Sequence, residues 1–363
     1  MKSLIVDKKR LRQNIDLVKK KAGVPIFGVL KADGYGLGLL QLAEALAQNG
    51  IDKFAVTEPN DALQLRTYGF TDQEILVMRS TSIDSELQTI LEAGATATVG
   101  SYDAAIKLNG IAEKDGAVAD AHVKLDTGMG RYGFLPSELD KIINVYTCLE
   151  NINISGIYTH FHSAFASREA TMAQLDALKG VVSALTEQGI ETGLVHAANS
   201  SALFLYPETI LDAVRIGSAF TGRLPIKGNT GLQKVCVLKS RVIEIRWLPK
   251  GHSVGYGAGF VTKKPMQIAV VPVGYGDGFG VSKANDIFRF RDCVRYAAGS
   301  LRDFLKRRRL YATIGGKRVR VLGHIGLCHT TVDVTGLGVT IGDEVTLDIS
   351  PLYVNPEIQK IYE

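Results

Sequence analysis

An N-terminal (β/α)8 barrel of the TIM type followed by a mainly β C-terminal domain is the α/β architecture this sequence predicts, and three observations predict it. Eight short apolar runs recur between residues 24 and 218. The stretches between them are amphipathic and stop at glycine, as in LLQLAEALAQNG and AQLDALKGVVSALTEQG. After about residue 232 the texture turns to Gly-punctuated β runs. The eight runs are VPIFGVLKA (24–32), KFAVTE (53–58), EILVMR (74–79), TATVGS (96–101), DAHVKLDT (120–127), ISGIYTHF (154–161), GLVHAANS (193–200) and DAVRIGS (212–218). Buried strands alternating with helices fit a closed barrel, and their even spacing favours closure over an open doubly wound sheet. The interval 201–211 has room for a short helix only. In the second part KVCVLKSRVIEIRWL, QIAVVPVGYG, ATIGGKRVRVLGHI, TTVDVT and DEVTLDIS read as strands, and SLIVD at the N-terminus reads as a strand of the same domain. The expected domains are therefore a barrel over 8–232 and a β-rich domain over 233–363 with strand 1–7.

At 363 residues the chain is long enough for two cores. Its 46% hydrophobic and 22% charged residues are those of an ordinary globular protein. No apolar run is long enough to span a bilayer, and MKSLIVDKKRLRQNIDL lacks a signal-peptide core. A cytoplasmic protein with no membrane partner is the expectation. Cys148, Cys236, Cys293 and Cys328 are scattered without metal-ligand spacing, so free thiols and no metal are expected. The net charge of +5 does not by itself call for nucleic acid.

Catalytic groups of barrel enzymes sit at the C-terminal ends of the strands. Polar residues that end the apolar runs are therefore candidates. Lys31 ends the first run, Lys124, Asp126 and Arg131 lie at or after the fifth, His160 ends the sixth, Asn199 and Ser200 the seventh, and Arg215 lies in the eighth. Together they make a cationic mouth with a histidine and hydroxyl or amide donors, suited to a phosphate or carboxylate. A desolvated lysine near other cations becomes a good nucleophile toward carbonyls. Position alone also fits a rim lysine whose stem snorkels to water. His160 by itself fits a satisfied core histidine, Asn199 and Ser200 a helix cap, and Tyr256 a packing tyrosine.

The motifs GVLKADGYGLG, VKLDTGMGRYGF (123–134), YTHF (158–161), HAANSSA (196–202), AVRIGSAFTG (213–222), GHSVGYGAGF (251–260), VPVGYGDGF (271–279) and VLGHIG…TVDVTG (321–336) resemble, in order, those of the alanine racemase family. These are fold-type III pyridoxal-phosphate (PLP) enzymes, and the resemblance spans almost the whole chain. It implies a cytoplasmic homodimeric isomerase acting on a small amino acid, with PLP as cofactor. Lys31 would be the Schiff-base lysine and one catalytic base. Tyr256, from the partner subunit, would be the base on the opposite face. Racemisation requires two such groups. Tyr35, Ser200, Gly217, Ser218 and Tyr353 would bind the cofactor phosphate, with Asn199 beside them. Arg215 would contact the pyridine nitrogen, and His160 would flank the ring and orient Arg215. Arg131 would hold the phenolic oxygen or the substrate carboxylate, supported by Lys124 at a position often carbamylated. Tyr275 would line the substrate entrance of the partner's site.

Two departures bear on the substrate. A Met-Asp pair usual in the family is replaced at Leu327-Cys328, followed by His329, in a loop that reaches the substrate. Leu327 and Cys328 are thus substrate-binding candidates, and alanine is the leading substrate with serine or lysine/ornithine as alternatives. Cys328 also resembles the cysteine loop of fold-III decarboxylases, although His329 stands where those have aspartate. A non-catalytic PLP carrier is the third reading, against which the second domain and Tyr256 count. The other departure is an insertion at 281–311, in which LRDFLKRRRLY shows helical apolar spacing with a basic face. A surface helix, a modified substrate entrance or an interaction site would each explain it. Asp33 replaces the family's usual asparagine.

Overall fold

The structure, a computed structural model, describes residues 2–283, 290–305 and 309–363. The chain divides into two compact units, Lys8–Val235, and Met1–Asp7 with Cys236–Glu363.

In the first unit each of the eight apolar runs becomes a strand. With β1 (Ser3–Val6) belonging to the other unit, these are β2 (Ile26–Val29), β3 (Lys53–Val56), β4 (Glu74–Val77), β5 (Ala97–Val99), β6 (Ala119–Lys124), β7 (Ile152–Tyr158), β8 (Leu194–His196) and β9 (Val214–Ile216). Hydrogen bonding runs in the orders β4-β3-β2-β9 and β5-β6-β7-β8. The parallel bridges Leu76–Thr96 and His196–Ala213 join the two halves. The strands therefore close into the expected (β/α)8 barrel. They read as continuous apolar runs because parallel strands are covered on both faces. Helices between them bury one stripe, as Leu39, Leu42, Ala43 and Leu46 do in Leu39–Gln48. Ser101 and Ser167 cap helices Tyr102–Lys114 and Arg168–Glu187 by accepting from the amides of Ala104 and Ala170. The short interval after β8 holds a six-residue helix, Ser200–Leu205, and one 3-10 turn.

The second unit is a nine-stranded sheet. Its strands are β1, β10 (Cys236–Arg241), β11 (Glu244–Leu248), β14 (Met266–Val271), β15 (Tyr311–Ile314), β16 (Lys317–Leu322), β17 (Thr330–Asp333), β18 (Glu344–Leu347) and β19 (Gln359–Tyr362), in the order β11-β14-β17-β16-β15-β18-β10-β1-β19. β12 (Ser253–Val254) and β13 (Phe260–Val261) form a separate hairpin. The hairpin and β19 were not legible as runs. The hairpin pairs only two residues on each side, and β19 owes its conformation to parallel pairing with β1. In the insertion the helix spans Phe290–Leu305 and takes in the first five residues of LRDFLKRRRLY, and Tyr311 opens β15. Lys306, Arg307 and Arg308 of that motif lie outside the described residues. Among the described residues no helix is long and apolar enough to cross a membrane.

Candidate active site

β2 delivers Lys31 to the mouth of the barrel through an unusual turn. Ala32, Asp33, Gly34 and Tyr35 follow with φ of 54°, 53°, 61° and 57°, a short left-handed helix. Non-glycine residues there cost about 1–2 kcal/mol each, so the turn needs external support. Gly34 N donates to Leu30 O at 2.8 Å, and Gly38 N to Asp33 O at 2.9 Å. Asp33 Oδ1 also accepts from Leu39 N at 2.8 Å, tying the turn to the next helix. This accounts for aspartate where the family has asparagine: both tolerate the left-handed region and both offer that oxygen.

A cavity of about 190 Å³ opens beside Lys31 and is lined by Tyr35, His160, Asn199, Ser200, Arg215, Gly217 and Ser218, among others. All eight residues were singled out from the sequence. A Cβ on Gly217 would lie 2.3 Å from Tyr35 Cε2 and 2.4 Å from its hydroxyl, so the tyrosine occupies space that only glycine leaves. Burial holds the Tyr35 phenol protonated, its pKa pushed up to about 12. Ser200 Oγ accepts from the amides of Gly217 (3.2 Å) and Ala219 (3.4 Å), which leaves its own O–H to donate. Asn199 caps the helix, its Oδ1 accepting from Ser201 N and Ala202 N, each at 3.1 Å.

Arg215 is buried and spanned by acceptors. Nη1 donates to His196 Nδ1 (2.8 Å) and His196 O (3.2 Å), and Nη2 to Thr159 O (2.6 Å) and Ala197 O (3.2 Å). His160 Nδ1 is only a marginal partner at 3.5 Å. His196, absent from the sequence candidates, is the nearer ring partner of this arginine. His196 in turn meets His122, Nε2 to Nδ1 at 3.0 Å. Arginine has no acceptor, so His196 Nδ1 must be unprotonated, its Nε2 carries the proton, and His122 Nδ1 accepts it. Burial and the Arg215 charge hold His196 and His160 well below the ordinary histidine pKa, and His122 falls to about 3. Tyr158 stacks on His196 at 4.7 Å between ring centroids, while Arg215 lies over the Tyr158 ring. A histidine inside a buried strand was the overlooked signal: His122 and His196 both lie within runs read only as apolar.

Lys124 ends β6 fully buried, donating to Leu125 O at 2.6 Å. Burial first, then Arg215 and Arg131, lower its pKa to about 7. Burial and then Arg131 lower that of Lys31. Asp126 gathers the following loop by accepting from the amides of Gly128, Gly130 and Arg131 at 2.9–3.0 Å. Arg131 itself is exposed and stacks over Tyr132. Lys31, Lys124, Arg131 and Arg215 therefore act on one another with Asp126 as the neighbouring carboxylate. Four cations against one carboxylate leave the mouth with an excess of positive charge. The glycine-sized cradle, the protonated tyrosine and the serine O–H fit an aromatic phosphate placed against an amine, which is the donor set that PLP requires. Among the described residues no group of three or more His, Cys, Asp or Glu is placed to hold a metal ion.

In the second unit Tyr256, Leu327 and Cys328 line a different cavity, of about 600 Å³, with Gly255, His324 and His329. Tyr256 stands exposed on a 3-10 turn. Tyr275 N donates to Gly326 O and Gly276 N to Leu327 O, both at 3.0 Å, so the Tyr275 turn anchors the loop carrying Leu327. Tyr353 lies half-buried on the turn Pro351–Tyr353 of the same unit.

Comparison with known proteins follows the same division. Residues 6–225 match the family model for the alanine racemase N-terminal domain, and residues 235–291 that for the C-terminal domain. Alanine racemase of Clostridium tetani is 39% identical over 285 residues, covering 76% of this chain and 73% of that protein. That of Methanococcus maripaludis is 33% identical over 351 residues, covering 94% and 87%. Among solved structures, alanine racemase of Clostridium difficile 630 superposes with a TM-score of 0.86 at 27% identity, covering all of this chain and 95% of that one. The Bartonella henselae alanine racemase, described with covalently bound pyridoxal phosphate, superposes with a TM-score of 0.82 at 25% identity, covering 100% and 99%. The N-terminal model covers more than half of the chain, and the Methanococcus maripaludis relative exceeds 30% identity over most of both proteins: the chain belongs to the alanine racemase family.

Proposed function

We propose that this chain is a PLP-dependent alanine racemase, a homodimeric isomerase of the cytoplasm. The observation that carries the reading is the amine of Lys31 beside a cradle built of Tyr35, Ser200 and Gly217, within a mouth short of negative charge. Bound there, PLP supplies an electron sink that acidifies the Cα proton of an amino acid. Tyr35 and Ser200 would donate to its phosphate, and Lys31 would anchor it. The lowered pKa of Lys31 raises the share of free amine at neutral pH, so its Nζ accepts the proton from one face of Cα. Tyr256 of a second copy delivers a proton to the opposite face. Arg215, although lowered to about 10, holds its proton at neutral pH and so donates a hydrogen bond without transferring the proton. A donor that keeps its proton would limit charge build-up on the cofactor ring and disfavour transamination. Arg131 holds the substrate carboxylate. Lys124, its pKa lowered to about 7, offers at neutral pH the free amine that carbamylation consumes, and the resulting anion would offset Arg131 and Arg215.

A second reading, racemisation of serine or of lysine/ornithine, is favoured by one observation. Leu327 and Cys328 line the Tyr256 cavity where the family carries Met-Asp. The test is to incubate the holoenzyme with L-alanine, L-serine or L-lysine and follow enantiomers by chiral chromatography. Inversion of L-alanine is expected, with Lys31→Ala and Tyr256→Phe each losing about 100-fold or more, and a mixture of the two variants regaining part of the rate. Inversion of another amino acid in preference to alanine would establish the second reading. An amine product, or no inversion of any of the three, would refute both.

A further inference from the structure

The helix Phe290–Leu305 begins where the match to the C-terminal family model ends, at residue 291, and plays no part in the chemistry above. At about 100° per residue, Phe290, Val294, Ala297, Leu301 and Leu305 fall in one narrow stripe. Such a stripe ordinarily faces a core. Here it faces outward: Phe290 is 86% exposed, Val294 52%, Leu301 59% and Leu305 69%. The inward side carries the buried Asp292 with half-buried Tyr296, Gly299 and Asp303, so polar and small groups make the packing face. Arg291, Arg295 and Arg302 cluster along one flank of the apolar stripe. Arg295 pairs with Asp292 (3.2 Å) and Arg302 lies 3.7 Å from Asp303, but both arginines stay about two-thirds exposed and such pairs exchange readily. By sequence, residues 290–309 hold seven basic and two acidic residues, a net +5 that equals the excess of the whole chain.

We propose that this helix lies in the plane of an anionic lipid surface, its apolar stripe in the headgroup boundary and its arginine flank against lipid phosphates. An outward apolar stripe with cations at its edge is the composition of interfacial helices, which rest on a membrane without spanning it. The cytoplasmic leaflet carries the complementary charge. Pairing of the stripe with a second copy would bring two +5 segments together. Phosphate binding on a nucleic acid would leave the stripe in water. The expectation of no membrane partner is thereby revised for this helix, independently of the catalytic reading.

The test uses the purified full-length holoenzyme and sucrose-loaded vesicles of phosphatidylcholine alone or mixed equally with phosphatidylglycerol. At least about tenfold stronger co-sedimentation with the anionic vesicles is expected, reversed by high salt. Val294→Glu combined with Leu301→Glu should reduce it to the neutral-vesicle level, with racemase activity in free solution and the melting temperature unchanged. Arg291→Gln with Arg295→Gln and Arg302→Gln should do the same at physiological salt. Three outcomes overturn the proposal. One is equal sedimentation with both vesicle types. Another is a wild-type particle mass, by light scattering, that falls in the Val294→Glu/Leu301→Glu variant without any lipid binding. The last is a DNA gel shift that survives that variant while vesicles bind neither protein. The salt and vesicle comparisons need only the unmodified protein, so they hold even if a variant misfolds.

Discussion

Gly217 and Tyr35 show how much of the site rests on one missing methyl group. Alanine at 217 would put Cβ within 2.3–2.5 Å of the tyrosine ring, in a backbone region that alanine itself tolerates. Tyr35 would have to swing out of the cavity. Gly217→Ala is expected to cost about 1–3 kcal/mol in stability from overpacking and to weaken PLP retention by about tenfold or more, since each lost phosphate hydrogen bond to a charged group is worth about 1.5–3 kcal/mol. Absorbance titration of the apoprotein with PLP measures this, and an unchanged affinity would remove Tyr35 from the phosphate site. At this scale the sequence exposed Lys31, Arg215 and Ser200 because polar residues at the ends of apolar runs stand out. It hid His196 and His122, because a histidine within a run is not distinguished from core by periodicity.

Among the elements, the turn after β2 is the one that local preferences oppose. Three non-glycine residues in left-handed conformation contradict intrinsic propensity, so the reading from residues could place Lys31 at a strand end but not foresee how it is presented. Asp33 is the piece that offsets the strain, through Leu39 N. Asp33→Asn should leave stability and cofactor retention near wild type. Asp33→Ala, which loses the acceptor and the tolerance for positive φ, should cost about 1–2 kcal/mol and release PLP more readily. Urea midpoints and the holoenzyme absorbance band read the two effects. Equal behaviour of the two variants would show that the oxygen does not support the turn.

For the molecule as a whole, the buried barrel histidines set an acid limit. His122, His160 and His196 have folded pKa values below 6.5, that of His122 about 3. As pH falls below about 6.5 the unfolded chain takes up protons on these groups while the folded chain does not. The unfolded state then binds more protons, so stability falls with falling pH, and for His122 this continues to about pH 3. The lowered carboxyl of Asp126 acts in the same direction at the acid end. The urea midpoint of the apoprotein should drop between pH 7 and pH 5, and a His122→Phe variant should drop less. A flat profile would mean that the histidines are not held neutral.

Hydrophobic spacing alone determined eight strands, their helices, the barrel they close into and the β texture that follows, because each of these is a pattern repeated along the chain. It also placed Lys31, His160 and Ser200 at the ends of their runs and Arg215 in the eighth, and so at one mouth. Only the tertiary structure decided that His196 is the nearer ring partner of Arg215, that Tyr35 fills the space over Gly217, and that the helix Phe290–Leu305 turns its apolar stripe outward. The physical reason is common to all three. Periodicity says which residues share a face, whereas partner and direction depend on what residues distant in sequence bring to that face.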